Sequence, residues 1–163
     1  MSDNARDIFL QALEYVQQEF YVDAIEAFRS ITSTAPDSPL ADDATFNLGL
    51  CYLKIQQLDR ARECFEKILS DYPDGTIDPG PDQKEFGRTA AKALLALVEL
   101  ALANGAREQA SAFAERLEEY QDSWVLQPGD VKKTYHDLAL DLLNRFNNQT
   151  EGSPSAEPER RES

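Results

Sequence analysis

The chain has few of the residues on which catalytic and metal centres are usually built. It holds one histidine, His136, and two cysteines, Cys51 and Cys64, too few for a His-rich or four-ligand metal site or a disulfide framework. Glycine occurs seven times without a G-x-G or a G-K-[ST], so no phosphate-cradling loop is present. Positive charge is scarce too. Lys plus Arg number 16 against 30 for Asp plus Glu, giving a net charge of -14 and a pI near 4.4. Such a field repels phosphate backbones and anionic lipid, which argues against nucleic acid and membrane surface as partners. The longest uncharged stretches, such as Thr45 to Leu53, reach about half of a membrane span. Asp3 stands where a secretory signal carries basic charge, and no apolar core follows it. These features point to a reducing, cytoplasmic location.

What is present is helical periodicity. Hydrophobic residues make up 42 % of the 163 residues, enough for one domain with a real core. Apolar positions recur at helical spacing up to residue 147, and no segment shows the strict alternation of a half-buried strand. Pro and Gly fall between these segments, as at Pro36, Pro39, Pro73, Pro79, Gly80, Pro81, Pro128 and Gly129. The pattern predicts an all-α chain with helices over about 3–20, 22–35, 39–56, 59–72, 84–103, 107–120 and 130–146. Ser38 and Asp130 are the expected N-caps of the third and last helices, and 76–82 is a loop longer than packing needs. Residues 1–147 form the expected domain. Residues 148–163, rich in Pro, Ser, Glu and Arg, are the expected disordered acidic and polar tail.

The helices repeat. Ala12, Ala24, Phe28 and Pro36 lie at offsets matched by Gly49, Ala61, Phe65 and Pro73, and imperfectly by Val98, Ala110, Ala114 and Asp122. Tyr15 and Tyr52 each follow the first member by three residues. This pattern resembles the tetratricopeptide repeat, with its best match at Asn47-Leu48-Gly49-Leu50-Cys51-Tyr52 followed by Ala61, Phe65 and Tyr72-Pro73. The copies are 37 and 49 residues apart, longer than the family's period of about 34. The resemblance implies a right-handed α-solenoid of about three helical hairpins plus a C-terminal capping helix. It also implies a concave groove lined by the first helix of each hairpin.

Carrying the groove positions over gives Arg6, Phe9, Leu13, Val16 and Gln17 from the first helix, Asp43, Phe46, Asn47, Leu50, Leu53 and Lys54 from the third, and Lys92, Leu95, Ala96, Glu99 and Leu102 from the fifth. Of these, Phe9, Leu13, Phe46, Leu50, Leu53 and Leu95 are the expected apolar contacts and Asn47, Lys54 and Lys92 the polar ones. Most are apolar, and an apolar stripe of that kind needs a cover. Three covers compete: the last helix folding back, a partner's helix or peptide, or a second copy of the chain. A basic clamp for a C-terminal carboxylate, known in some family members, matches only at Asn47 and Lys92; Phe9, Leu13 and Ala96 occupy the other positions. His136 reads as part of a solvated helix face, and Cys51 and Cys64 as small buried hydrophobes.

The expected function is non-enzymatic, with no catalytic residue, metal or cofactor. An adaptor or chaperone would bind another protein or peptide in the groove, and the acidic surface would favour a basic partner segment. A self-associating scaffold unit and a small chaperone of the secretion-system kind are the competing readings.

Overall fold

A computed structural model describes residues 2–152. Six helices form three consecutive hairpins: α1 (Ser2–Gln17) with α2 (Tyr21–Thr34), α3 (Ala41–Lys54) with α4 (Leu58–Asp71), and α5 (Thr89–Ala103) with α6 (Arg107–Arg116). Each helix packs on the next in sequence, and α3 also meets α5, so the hairpins stack as a solenoid. The expected architecture is the one observed. A 3-10 turn, Leu117–Tyr120, follows α6, and α7 (Tyr135–Glu151) caps the far end against α5 and α6. Helix α7 thus runs four residues past the expected start of the tail, and residues 153–163 of that tail lie outside the described residues.

The repeat is visible in the turns. Glu19, Gln56 and Gly105 all adopt positive φ, at 62°, 61° and 72°. The amide after each reaches back five residues, from Phe20 to the carbonyl of Tyr15, from Gln57 to that of Tyr52 and from Ala106 to that of Ala101. This left-handed closure satisfies carbonyls that the helix end leaves free. The three turns keep the 37- and 49-residue spacing read from the sequence.

The core follows the same register. Ala12, Ala24 and Ala61 are fully buried, as are Phe28 and Phe65. At Gly49 an added Cβ would lie 2.7 Å from the Phe65 ring, which is why this position is empty. Phe9 meets Phe28 edge-on at 5.7 Å and Phe46 meets Phe65 at 5.5 Å, one aromatic pair per repeat at equivalent places. In the third hairpin Leu95 and Ala114 hold those two places. Its core is instead completed by Leu94, Val98, Leu117, Tyr135 and Ala139, together with Ile77 from the long loop.

A small sheet departs from the all-helical expectation. β1 (Glu85–Phe86), β2 (Trp124–Gln127) and β3 (Val131–Thr134) are antiparallel in the order β1-β2-β3. Gly129 at φ 83° and Asp130 at φ 58° turn a β2–β3 hairpin, so Asp130 is a turn residue and not the cap. The cap is Thr134: its Oγ accepts the Asp137 amide at 3.0 Å, while the Asp137 carboxylate accepts the Thr134 amide at 3.3 Å. Helix α5 likewise starts at Thr89 and not near 84, because Glu85 and Phe86 pair with β2. Ser38 sits before α3 as a turn residue, its hydroxyl accepting the Leu40 amide at 3.2 Å.

Candidate functional site

The inner sides of α1, α3 and α5 leave a cleft of about 280 Å³. Phe9, Leu10 and Leu13 of α1 form one wall, and Asn47 of α3 with Lys92 of α5 form the opposite one. The segment Asp78 to Pro81 supplies the third side. That long loop is held against the concave face. Asp43 accepts the Asp78 amide at 2.8 Å, and Arg6 reaches the Asp78 carboxylate at 3.4 Å. Beneath it, buried Asp42 accepts the Thr89 hydroxyl at 2.7 Å and packs so closely on Gly75 that an added Cβ there would lie 2.4 Å from its carboxylate.

Of the nine expected contact residues, Phe9, Leu13, Asn47 and Lys92 come together in the cleft wall. Phe9 and Phe46 are more enclosed than a groove position implies, at 7 % and 8 % exposed, because their rings pair with Phe28 and Phe65 inside the hairpins. Leu50 is open, at 38 %. Leu53 is half-buried against the main core and Lys54 is exposed. Leu95 is half-buried against the second core cluster, which includes Tyr135 and Ala139 of α7. Helix α7 contributes no residue to the cleft wall, so the last helix covers the Leu95 end and leaves the α1–α3 end open. Leu10, Glu85 and the 78–81 segment are wall residues that the sequence reading did not place in the groove; Pro79 and Pro81 marked the 78–81 segment as a long loop, and nothing in the helical pattern marked Leu10 or Glu85.

The cleft is more polar than an apolar stripe suggests, and its charges are paired. Lys92 reaches Glu85 at 2.8 Å while its ammonium sits 4.7 Å from the Phe46 ring centre. The Tyr135 hydroxyl donates to the other Glu85 oxygen at 3.1 Å; burial first, and then that carboxylate, raise the tyrosine's pKa. Burial likewise pushes Asp43 up to about 7, helped by the charges of Asp42 and Asp78 and opposed by the Asp78 amide and Lys92. Near neutrality Asp43 therefore divides between its acid and carboxylate forms.

Elsewhere the titratable groups are structural. Burial holds both cysteine thiols up to about 11, so neither is an activated nucleophile. His136 accepts the Gln121 side-chain amide at 3.1 Å, tying α7 to the 3-10 turn. Among the described residues no cluster of three His, Cys, Asp or Glu could hold a metal, and no helix is long and apolar enough to cross a membrane.

Stacked hairpins with an open concave face define a helical-repeat solenoid. Residues 9–76 match the tetratricopeptide repeat family model. No curated protein matches. Among solved structures, the chain resembles the Sgt2 TPR domain from Aspergillus fumigatus, at TM-score 0.63 and 16 % identity over 98 % of this chain and 91 % of that one. BtubC from P. vanneervenii gives 0.57 and 16 %, covering 98 % and 68 %, and MamA of AMB-1 gives 0.51 and 17 %, covering 93 % and 70 %. At these identities the likeness is one of fold.

Proposed function

We propose that the protein is a non-enzymatic adaptor that holds a segment of another protein in the cleft between α1, α3 and the 78–81 loop. The tetratricopeptide repeat is a protein-interaction module, and the observation that carries the reading is that α7 caps the solenoid end without entering the cleft. Leu10 and Leu13 of the cleft wall, with exposed Leu50 of α3 outside that wall, offer apolar contact, and Asn47 and Lys92 offer polar contact in the wall. Phe9 and Phe46 act from behind, by fixing the α1 and α3 surfaces on their own hairpins.

In the cleft Arg6 and Lys92 are matched by Asp78 and Glu85, and partly ionised Asp43 leaves only a slight acid excess, so most of any charge preference lies elsewhere. Preference for a basic partner segment comes from the whole molecule, whose net charge of -14 steers cations toward it. A chaperone role is a use of the same cleft. Replacing Leu10 and Leu50 together by Glu tests the reading. These side chains are 49 % and 38 % exposed, so the helical circular dichroism should persist while capture of partner falls by about tenfold or more. Equal capture by the folded double variant would remove the cleft from the account.

A further inference from the structure

We infer that the outer face of the three-stranded sheet is a second docking surface, for an extended acidic segment of another polypeptide that carries an apolar anchor. Strand register separates the two faces. Phe86 lies opposite Trp124, Trp124 opposite Thr134, and Leu126 opposite Lys132, so these side chains share one face. The Leu126 amide donates to the Lys84 carbonyl at 2.7 Å, which extends the ladder and adds Lys84 to the same side. The alternate residues turn inward: Val125 packs on the second core cluster, and Glu85 binds Tyr135.

The outer face has the two components such a ligand needs. Phe86 and Trp124 stack at 6.0 Å with an interplanar angle of 25°, and Phe86 remains 56 % exposed, an apolar platform that no core contact explains. The ammonium of Lys132 stands 4.3 Å from the Trp124 ring centre, and Lys84 stands at the other side of the platform. Lys84 faces only Asp82, at 4.0 Å with both side chains largely exposed, so its charge stays available. None of the six outward residues is acidic, in a chain with 30 Asp and Glu. Acid beyond a screening length of about 8 Å is damped, and of the two lysines only Lys84 meets a carboxylate among the described residues, that of Asp82, so the face keeps its positive side at Lys132. The complementary ligand alternates carboxylates with aliphatic side chains along an extended backbone. The face lies outside residues 9–76, is separate from the cleft and does not depend on it.

Trp124 is the only tryptophan, so its emission reports this face directly. The probe is a synthetic peptide of about ten residues alternating Glu and Leu, titrated into the full chain, with a Lys-and-Leu peptide as control. The expected result is a saturable emission change with the acidic peptide and none with the basic one. Lys84→Glu with Lys132→Glu, both at exposed positions, should weaken binding by about tenfold or more with unchanged circular dichroism. Phe86→Ser, also exposed, should weaken it as well. The Leu10→Glu and Leu50→Glu cleft variant should leave the titration unaltered, which keeps failure here distinct from failure of the cleft. No emission change, equal response to both peptides, or full binding by the double-lysine variant would overturn the inference. Emission that shifts on dilution without peptide would assign the face to a second copy of this chain and overturn it equally.

Discussion

Gly49 is the position where the second hairpin has no room for a side chain. An added Cβ would meet the Phe65 ring at 2.7 and 2.9 Å and Cys64 at 3.2 Å, and that ring is fully buried. Gly49→Ala gains about 1 kcal/mol of helix propensity but incurs about 1–3 kcal/mol of overpacking, so a net loss near 1 kcal/mol is expected. Urea unfolding would show it as a lower midpoint at unchanged slope. Phe65→Ala should cost about 3–5 kcal/mol, since its ring completes a closed aromatic pair. Asp43 governs pH dependence. Its folded pKa of about 7 stands above an unfolded value of 3.8, so the native chain holds a proton that the unfolded chain releases. The stability this gives is full below about pH 4 and is lost as pH rises through about 7. Asp43→Asn keeps an acceptor for the Asp78 amide and removes the titration. The variant should gain on the wild type progressively over that window and be the more stable of the two above it; parallel urea midpoints at every pH would contradict this. At this scale the sequence showed which residues repeat, but not which way each one faces. Phe9 and Phe46 stand three residues before the small residue of their helix, and their rings turn into the hairpin toward Phe28 and Phe65.

The sheet is the element that helical reasoning could not find. β1 has two residues, too few for any period, and the β2 residues Trp124 to Gln127 are all half-buried, so they show no alternation. Pro128 and Gly129 read equally well as a helix stop and as a hairpin turn; what decides for the hairpin is the pairing of β2 with both β1 and β3. The sequence reading put the cap at Asp130, taking Pro128 and Gly129 for a helix stop, and passed over the capping box of Thr134 with Asp137 three residues on. Helices such as α2 and α4 were legible because each buries one stripe, and α3 and α5 because they are apolar and buried on nearly every side. Gly87 joins the sheet to α5 at φ 118°, and an added Cβ would lie 2.3–2.5 Å from Ser123, including its Cα. Gly87→Ala should therefore cost roughly 3 kcal/mol from strain and overlap combined. Its signature is local: amides of β1 and β2 should lose hydrogen-exchange protection before those of α3 and α4. Uniform loss along the chain would mean that the sheet is not a separable element.

Across the whole molecule, the two core clusters are continuous, because Leu69, Phe113 and Tyr120 pack against both. Unfolding should be a single event: Trp124 emission, reporting the C-terminal sheet, and far-ultraviolet circular dichroism, reporting all the helices, should share one urea midpoint. An earlier Trp124 transition would divide the solenoid. The net charge of -14 adds self-repulsion, so the melting temperature should be higher in about 0.3 M than in about 10 mM sodium chloride. The solenoid also exposes the central claim to a direct measurement. A photo-crosslinking amino acid is placed at Leu10, on the rim of the cleft, and in a second sample at Glu66, on exposed α4. Irradiation in the presence of cell extract should yield a discrete adduct from position 10, absent from position 66 and competed by unlabelled protein but not by its Leu10→Glu, Leu50→Glu variant. Adducts of equal yield from both positions, or competition by the variant as strong as by the wild type, would contradict the account.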